Sequence, residues 1–403
     1  MLDFCDMNGY NQTVVIPLIT SLISNPNTPF EQNRLLPCGL FCFLEKTIRR
    51  VYFLWYTLFI LTGGDTMEYI RNTIEYPVYT SRAFQLYFDN MDIGMLDIET
   101  TGLSPKNSAF VLGGLVTPRD GYLEAEQYFA ESLSREQETL NEFWAQSSGK
   151  DVLITFNGQH FDIPFIKERL SKPADPMPFH LDLFLLVKNF SPIRKFLPNL
   201  KQKSIENYMG LWQYRDDEIS GKESVDLYYR FLTGKSDAIK QKILLHNHDD
   251  IVQLYRLLKI IEKSDFHKAM SNFGFPVKSS RENAPALVIE KISLKGGQLI
   301  ISGRQYRNPA EYQCYDYNGN MCFVRFSKDA ASFSIELPVI EQAGMMLLDL
   351  EALDLTGTPL DKYPACQEGF LILRSESGTN YMELNHFIKL FTERIIDQWI
   401  TDK

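Results

Sequence analysis

The sequence predicts an α/β protein: a mixed sheet with helices on both faces, followed by a mainly β region. Three observations predict it. Apolar runs separated by short turns come first, and helical and strand-like segments then alternate. A long apolar stripe of helical period closes this part of the chain, and beyond residue 285 the pattern returns to paired strands.

The composition is that of a globular protein. Hydrophobic residues at 44% and charged residues at 23% of 403 exclude a disordered or fibrous chain and leave room for two or three domains. The net charge of −10 excludes a generally basic nucleic-acid coat protein, although metal ions and local Lys or Arg can offset phosphate repulsion. Six cysteines, at 5, 38, 42, 314, 322 and 366, lack a paired CxxC pattern and predict free thiols in a reducing cytoplasm.

Residues 1–66 differ from the rest, and three interpretations remain open for them. The apolar run 51–61 is shorter than the roughly 20 residues that cross a bilayer. The segment is therefore a membrane-surface element, a small packed extension, or sequence translated from a start chosen too early. Gly63 and Gly64 precede Met67, and purine-rich glycine codons there resemble a ribosome-binding site. We expect the chain to start at Met67.

Strands are expected at 92–99, 109–116 and 122–129, and their short connections predict antiparallel neighbours. A helix at 136–146 and a buried strand at 151–156 follow. The next helix begins near Asp162, because Pro164 is tolerated only in a first turn. Asp162 then lies at the sheet edge where α/β proteins bind ligands, or it simply caps the helix.

A basic stretch follows the segment 180–183, which fits either a short strand or a helix. Its members are Arg194, Lys195, Lys201 and Lys203. They either track a phosphate backbone or form an ordinary solvated surface. Helices are expected at 204–211 and 223–232.

The helix predicted over 236–263 is the most informative one. Its apolar stripe recurs at steps of three and four residues, and His246 and Asp250 occupy two positions of that stripe, one turn apart. A lone core histidine is usually just hydrogen-bonded, whereas a His and an Asp together require a common reason. His248 and Asp249 lie off the stripe and are expected to face solvent.

The domain organisation follows from a change of pattern after residue 263. Residues 67–263 are expected to form the α/β domain, and 264–285, rich in Gly, Pro and Ser, to form a linker. Residues 286–403 are expected to form a mainly β domain that ends in an amphipathic helix over 381–400.

The first strand carries two carboxylates on its apolar face. Side chains two apart share a face of a strand, so Ile93, Met95, Asp97 and Glu99 point the same way. Unpaired carboxylates there are costly, and a divalent cation such as Mg²⁺ or Mn²⁺ would neutralise them. The alternative is an exposed strand end with two solvated acids.

At this point the chain resembles the DEDD superfamily of metal-dependent exonucleases with a ribonuclease-H-like fold. The resemblance is carried by residues 97–103 (DIETTGL), by 156–158 (FNG) with 161–165 (FDIPF), and by 246–250 (HNHDD). Within it, the YprB-like group of predicted exonucleases is the most similar. One departure concerns the residue before the final Asp. The tyrosine type of this superfamily has a Tyr four residues before that Asp, and the histidine type has a His five residues before it. Here His246 stands four residues before Asp250, so it has the identity of one type and the spacing of the other.

The resemblance implies a 3′–5′ exonuclease that hydrolyses phosphodiesters with two Mg²⁺ or Mn²⁺ ions. Asp97, Glu99, Asp162 and Asp250 would hold the ions. His246 would accept the proton of the attacking water. The 3′ end of a single strand would be held by a further set of residues: Thr100, Thr101, Leu103, Asn157 and Phe161.

Two other functions remain open. A structure-selective endonuclease would use the same catalytic residues, because end selection depends on the rims of a site. A binding module that has lost turnover would keep the fold, although the intact set of acids argues against it. The choice between DNA and RNA depends on geometry that sequence does not give.

Overall fold

The computed structural model describes residues 67–174, 176–216, 219–316 and 322–400. By contacts the chain divides into two units, 1–57 and 58–403, and the described residues all belong to the second. The expectations for residues 1–66, including the start at Met67, lie outside the described residues. Within them, no helix is both long and apolar enough to cross a bilayer. Cys314, Cys322 and Cys366 are free thiols, and the cytoplasmic location stays a prediction.

The α-helices of the described residues are α1 (Arg82–Phe88), α2 (Glu136–Ser148), α3 (Asp162–Arg169), α4 (Leu183–Phe190), α5 (Gln202–Tyr208), α6 (Gly221–Gly234), α7 (Asp237–Arg256), α8 (Phe266–Phe273) and α9 (Tyr381–Ile395). Short 3₁₀ segments flank several of them, and a π-helical turn, Ile396–Ile400, continues α9.

The strands of the first sheet are β1 (Glu68–Glu75), β2 (Ile93–Thr100), β3 (Phe110–Arg119), β4 (Tyr122–Phe129), β5 (Val152–Thr155) and β6 (Phe179–Asp182). The later strands are β7 (Phe275–Lys278), β8 (Ala286–Lys295), β9 (Gln298–Arg307), β10 (Tyr312–Cys314), β11 (Phe323–Ser327), β12 (Ser332–Pro338), β13 (Ile340–Gln342), β14 (Met345–Asp349), β15 (Cys366–Gln367), β16 (Phe370–Ser375) and β17 (Gly378–Thr379).

The first sheet is mixed, in the order β1-β4-β3-β2-β5-β6. Strands β1 to β4 pair antiparallel, whereas β2, β5 and β6 pair parallel. The antiparallel run and the pairing of β2 with β5 confirm the predicted sheet. Strand β1 was missed by the sequence analysis, which recognised no strand before residue 92. The segment at 180–183 is the end of a strand followed by the start of a helix, so both expected forms occur in succession.

Helices cover both faces of this sheet, as predicted. Leu96 and Ile98 of β2 pack with α2 on one face, and Ile93 and Met95 pack with α7 on the other. Two glycines of β3 allow this close approach. A Cβ atom at Gly113 would lie 2.5 Å from the Phe143 ring, and one at Gly114 would lie 2.3 Å from Asn247 Oδ1. A side chain at either position would therefore force the neighbouring Phe143 or Asn247 side chain to move.

Two expectations for the region around residue 263 differ from the structure. The single helix over 236–263 ends as an α-helix at Arg256 and continues as a 3₁₀ helix, Leu257–Lys263. A 3₁₀ helix has three residues per turn, so residue 257 stacks on residue 260 and residue 258 on residue 261. All four residues are buried.

The expected linker 264–285 holds α8 and β7, and β7 pairs with β8. The domain boundaries themselves stay a prediction.

The mainly β region consists of two antiparallel sheets, as expected. One has the order β10-β11-β12-β9-β8-β7. The other has the order β13-β14-β16-β15, with β17 paired to β16. The predicted turn at 318–320 lies outside the described residues. One apolar core runs from the first sheet into this region, and the rings of Tyr87 and Phe275 lie 5.3 Å apart within it.

A buried ionic cluster joins this region to the amino-terminal ends of β5 and β6. Asp151, which is fully buried, accepts from Lys278 Nζ and Arg307 Nη1, each at 2.7 Å. Arg304 Nη2 donates to the Pro178 carbonyl at 3.0 Å. The β region is therefore fixed at one edge of the first sheet, and the opposite, carboxyl-terminal edge is left for the carboxylates of the predicted site.

The first prediction concerns this cluster. Asp151→Ala removes the shared acceptor of two cations, so we expect unfolding free energy to fall by about 2–3 kcal/mol. The cost stays below that of a fully buried pair because Lys278 and Arg307 are 39% and 33% exposed. Urea denaturation measures it, with Asp120→Ala, an exposed acid, as control. Equal stability of the two variants would contradict the role of the cluster.

Candidate active site

The site lies where β2 ends, at the carboxyl-terminal edge of the parallel strands. Asp97 is partly buried and Glu99 is 8% exposed, and both point to the face covered by α7. The bulge between Glu99 and Thr100 marks the point where β2 leaves its regular pairing with β3. The strand therefore carries two carboxylates out of the apolar core on one face, as its alternation predicts.

Asp162 reaches the same place from the other side of β2. It is the first residue of α3 and is 3% exposed. Its Oδ1 accepts the backbone N–H of Ile98 at 3.1 Å, the residue between the two β2 acids. This contact joins α3 to the strand, and the N-cap residue of the helix is Phe161 rather than Asp162.

Helix α7 crosses the sheet and supplies the remaining groups. His246 Nε2 lies 3.5 Å from Glu99 Oε1 and 3.7 Å from Asp250 Oδ2. Asn247, which is fully buried, donates from Nδ2 to Asp97 Oδ2 at 3.1 Å. The one-turn spacing of His246 and Asp250 thus has a common reason, because both side chains face the β2 acids.

The Asn247 amide is itself held in place by β4. Gln127 Nε2 donates to Asn247 Oδ1 at 3.0 Å and to the Leu244 carbonyl at 2.8 Å. Because Gln127 fixes the oxygen side of the amide, its nitrogen must point at Asp97. Gln127, Asn247 and Asp97 form a chain of hydrogen bonds from β4 through α7 to the site.

Burial and neighbouring charges raise the pKa values of two of these acids, Asp97 and Asp162. Burial, followed by the charges of Asp162 and Asp250 and then Glu99, raises the pKa of Asp97 well above its usual range, and the Asn247 bond lowers it in part. Burial also raises the pKa of Asp162 to about 7, against the lowering effect of its own and the Ile98 N–H groups. The four carboxylates therefore lie close enough to act as one electrostatic unit.

A cation of the chain lies beside Asp250. Arg215 donates from Nη2 to Asp250 Oδ1, and from the same nitrogen to Glu206 Oε1 at 2.8 Å. Glu206 is fully buried and the Arg215 side chain is 7% exposed. Burial lowers the pKa of Arg215, but Glu206 and Asp250 outweigh it and raise the value overall. Arg215 therefore stays charged and fixes the rotamer of Asp250.

The donor set fits a divalent cation. Among the described residues, Glu99, His246 and Asp250 have ligand atoms that all lie within 4.8 Å of one another. Carboxylate oxygens are the ligands of Mg²⁺, and Mn²⁺ also accepts imidazole nitrogen. Because Asp97 and Asp162 carry raised pKa values beside this group, positive charge would relieve a repulsion that the fold itself creates.

The predicted substrate residues lie at the end of β2 and in the loops after β2 and β5, and several have structural partners. Thr100 Oγ1 donates to the Gly102 carbonyl at 2.8 Å, and Thr101 Oγ1 accepts the Ala109 N–H at 2.8 Å, so both close the loop after β2. Leu103, in that loop, is 84% exposed, far more than an apolar core residue. Phe161 packs against Phe165, with ring centroids 5.8 Å apart.

Asn157 has a left-handed backbone, with φ of 65°. Asp182, at the end of β6, accepts its N–H at 2.9 Å and that of Gln159 at 3.1 Å. The same carboxylate accepts the N–H of Phe184 at 2.9 Å and so caps α4. Asp182 therefore shapes the loop that carries Asn157, and nothing in the sequence pattern singled it out.

The expectation that His248 and Asp249 face solvent is wrong. They are 9% and 6% exposed, because the strand-facing stripe is not the only packed side of α7. Asp249 Oδ2 accepts the N–H of Asp216 at 2.6 Å, which holds the segment after Arg215 against the helix.

The sequence analysis also missed Gln127, Glu206 and Arg215 as contributors to the site. Gln127 had a signal, since it replaces an apolar residue on the buried face of β4. Arg215 and Glu206 had none, because their roles depend on a tertiary contact.

Comparison with known proteins supports the fold. A family model described as RNase H superfamily matches residues 95–262, a range that includes all four carboxylates. Together with the sheet order, it identifies the first domain as ribonuclease-H-like, as predicted. No curated protein sequence matches the chain.

Solved structures give only distant similarities. The family B DNA polymerase of the archaeon Pyrobaculum calidifontis is 17% identical, with 42% of this chain and 24% of the polymerase covered and a TM-score of 0.33. Exonuclease I of E. coli, solved with a dT13 oligonucleotide, is 12% identical, with 53% and 55% covered and a TM-score of 0.26. The chain thus spans about a quarter of the first and just over half of the second.

The second prediction concerns the acids in the absence of metal. A carboxyl group with a raised pKa in the folded state binds protons that the unfolded state has released, so its contribution to stability is lost as pH rises from its unfolded to its folded value. For Asp162 this range is about 4 to about 7. With EDTA present, we expect the thermal midpoint to fall across this range, and added Mn²⁺ to restore it at pH 7.

Asp97→Asn provides the comparison for this prediction, because it removes one of the repelling charges while keeping a side chain of the same shape. When EDTA is present, the thermal midpoint of the variant should equal that of the wild type near pH 4 and should be higher than that of the wild type near pH 7. It should also gain less from Mn²⁺. A variant that loses stability relative to the wild type as pH rises would show that the acids do not repel one another.

Proposed function

We propose that this protein is a metal-dependent nuclease of the DEDD type that removes nucleotides from the 3′ end of a nucleic-acid strand. One observation carries the proposal: carboxylates from β2, α3 and α7, distant in sequence, meet at one edge of a ribonuclease-H-like sheet. Such an acidic centre repels a phosphodiester unless cations stand between them, which is the condition for metal-assisted phosphoryl transfer. The finer assignment to the YprB-like group belongs to the same proposal.

Asp97, Glu99, Asp162 and Asp250 would hold two Mg²⁺ or Mn²⁺ ions. When bound, the ions supply Lewis acidity for the attacking water and the leaving 3′ oxygen. Asn247 keeps the Asp97 carboxylate turned toward the site through its bond to Oδ2. Arg215 occupies one oxygen of Asp250 and so presents the other, Oδ2, toward His246. The protein therefore fixes the orientation of its ligands before substrate arrives.

His246 is the candidate proton acceptor. Its Nε2 points at Glu99 and Asp250 and so lies among the acids rather than in the apolar stripe. Histidine changes charge near neutral pH, and neighbouring carboxylates would stabilise the imidazolium formed when it takes a proton from water. The same nitrogen has the distance to serve as a ligand beside Glu99 and Asp250. Both roles require a neutral imidazole, because a protonated ring nitrogen can neither accept a proton nor bind a metal ion.

Thr100, Thr101, Leu103, Asn157 and Phe161 remain candidates for holding the terminal nucleotide. Leu103 has the strongest support, because a large apolar side chain that is 84% exposed beside an acidic centre offers a surface for a base. Asn157 lies in a loop that Asp182 fixes by accepting the N–H groups of Asn157 and Gln159. The hydroxyl groups of Thr100 and Thr101 would contribute indirectly, because they fix the shape of the loop after β2.

The third prediction tests the activity. Single-stranded DNA and RNA labelled at the 5′ end, incubated with Mn²⁺, should shorten stepwise from the 3′ end, whereas a covalently closed circular strand should resist. Asp97→Asn should lower the rate by roughly 1,000-fold, the order expected when a metal-assisted step loses a ligand. Asp329→Asn, an exposed acid of the second region, should leave it unchanged.

The other outcomes decide between the alternatives. Cutting of the circular strand would indicate an endonuclease on the same fold. Binding of oligonucleotide with no product from any substrate would indicate a module without turnover. Wild-type rates in Asp97→Asn would refute the assignment of the site.

The fourth prediction concerns Asn247. Residues that hydrogen-bond a metal ligand typically contribute 10- to 100-fold to metal affinity, so Asn247→Ala should weaken Mn²⁺ binding by about that factor. Calorimetric titration measures it. Asn385→Ala is the matched control, because Asn385 is another fully buried helical amide but donates to the Tyr87 hydroxyl and the His267 carbonyl. Equal Mn²⁺ affinity of the two variants would remove Asn247 from the site.

A further inference from the structure

Residues 192–215 form a segment that lies directly against the site, here called the cap segment. It contains a 3₁₀ turn (Pro192–Phe196), helix α5 and a second 3₁₀ turn (Trp212–Tyr214). Gln202 Nε2 donates to the Asp250 carbonyl at 3.2 Å, and the Leu211 carbonyl accepts from Gln253 Nε2 at 3.0 Å. Together with the Arg215 bond to Asp250, these contacts fix the middle and the carboxyl-terminal end of the segment to the part of α7 that carries the site.

The cap segment displays aromatic side chains that its packing does not require. Its inner face is filled by Ile193, Ile205 and Leu211, each no more than 5% exposed. Its outer face carries Phe196, Tyr208 and Trp212, which are 71%, 48% and 60% exposed. Among the described residues, the other exposed aromatic rings are Tyr229 and Tyr315. Three of these five exposed rings therefore belong to the cap segment.

The charge of the cap segment is opposite to that of the protein. Residues 192–215 contain five Lys or Arg and a single acid, whereas the whole chain has a net charge of −10. The acid, Glu206, is fully buried and paired with Arg215, so it does not offset the surface charge. The remaining basic residues are exposed: Arg194, Lys195, Lys201 and Lys203.

Basic groups and exposed rings on one surface match the chemistry of a single nucleic-acid strand. Phosphates pair with Lys and Arg, and unpaired bases stack on aromatic faces without regard to sequence. The carboxyl-terminal part of the cap segment also lies close to the carboxylates of the site. Trp212 and Arg215 are three residues apart, so their Cα atoms lie within about 10 Å of each other, and Arg215 contacts Asp250.

We propose that the cap segment is the surface that binds the single strand behind its 3′ end, with Trp212, Tyr208 and Phe196 as stacking platforms and Lys195 and Lys201 as phosphate contacts. The proposal rests on the proposed nuclease function and extends it to the substrate class. A base pair hides the faces of both its bases in the duplex stack, so a surface of this kind selects unpaired strands. It also supplies the positive charge that an acidic site lacks for attracting a polyanion.

Binding and chemistry can be measured separately. Binding is followed by fluorescence anisotropy of labelled oligothymidine in Ca²⁺, over a range of salt. Chemistry is followed with the 4-nitrophenyl ester of thymidine 5′-phosphate in Mn²⁺, a small substrate with no strand to reach the cap segment. Trp212→Ala should weaken oligothymidine binding by roughly 5- to 100-fold, the range of one lost base stack, and leave ester hydrolysis unchanged.

Charge and ring variants have different signatures. The double variant Lys195→Gln/Lys201→Gln should lower the slope of log affinity against log salt by roughly 1.4, because each phosphate contact on a single strand contributes about 0.7. Trp212→Phe should recover most of the affinity lost in Trp212→Ala, because a ring is restored. The matched controls are Tyr315→Ala and Lys291→Gln/Lys295→Gln, which alter exposed residues of the β region.

The outcomes separate this proposal from the proposed function. If the wild type cleaves neither the ester nor the oligonucleotide, the nuclease function fails. If the wild type cleaves both and the cap variants bind oligothymidine as tightly as the controls do, the nuclease stands and the strand surface is overturned. Unchanged affinity together with loss of a dimer in Trp212→Ala, seen by sedimentation, would assign the rings to a second copy of the chain and also overturn it.

Discussion

The structure depends on one electrostatic constraint: the fold brings four carboxylates together where water is scarce. Burial is the largest cause of the raised pKa values of Asp97 and Asp162, and the charges of neighbouring carboxylates raise both values further. Such a cluster destabilises the folded protein unless something positive is supplied. The chain supplies part of it as Arg215, which neutralises one side of Asp250, and we propose that cations from solution supply the rest.

The residues around the four carboxylates have different roles at the two edges of the first sheet. At the carboxyl-terminal edge, Gln127 and Asn247 set the orientation of Asp97, and Asp182 shapes the loop that follows β5. At the amino-terminal edge, the buried carboxylate of Asp151 holds the mainly β region through Lys278 and Arg307. The β region therefore supports the sheet from the side opposite the acids, and the cap segment is the part of the chain that borders them.

Sequence predicted strands β2 to β5, the pairing of β2 with β5 and the convergence of the four acids, because each left a local pattern. The alternation of β2 placed Asp97 and Glu99 on one face, and the stripe of α7 placed Asp250 one turn from His246. It did not predict the contacts that depend on packing between distant segments. Arg215 follows a short 3₁₀ turn with no periodicity, and Asp249 is buried by a segment that lies over the outer side of α7. The change from α to 3₁₀ winding at Leu257 likewise satisfies core packing rather than propensity.

The central claim is that the converging acids exist to hold divalent cations. Its most direct test is a crystal grown with Mn²⁺ and measured on both sides of the manganese absorption edge, since anomalous scattering locates the ion without reference to protein density. The account predicts anomalous peaks bounded by the carboxylates of Asp97, Glu99, Asp162 and Asp250. Well-occupied manganese elsewhere in the same crystal, with no peak among these four side chains, would contradict it.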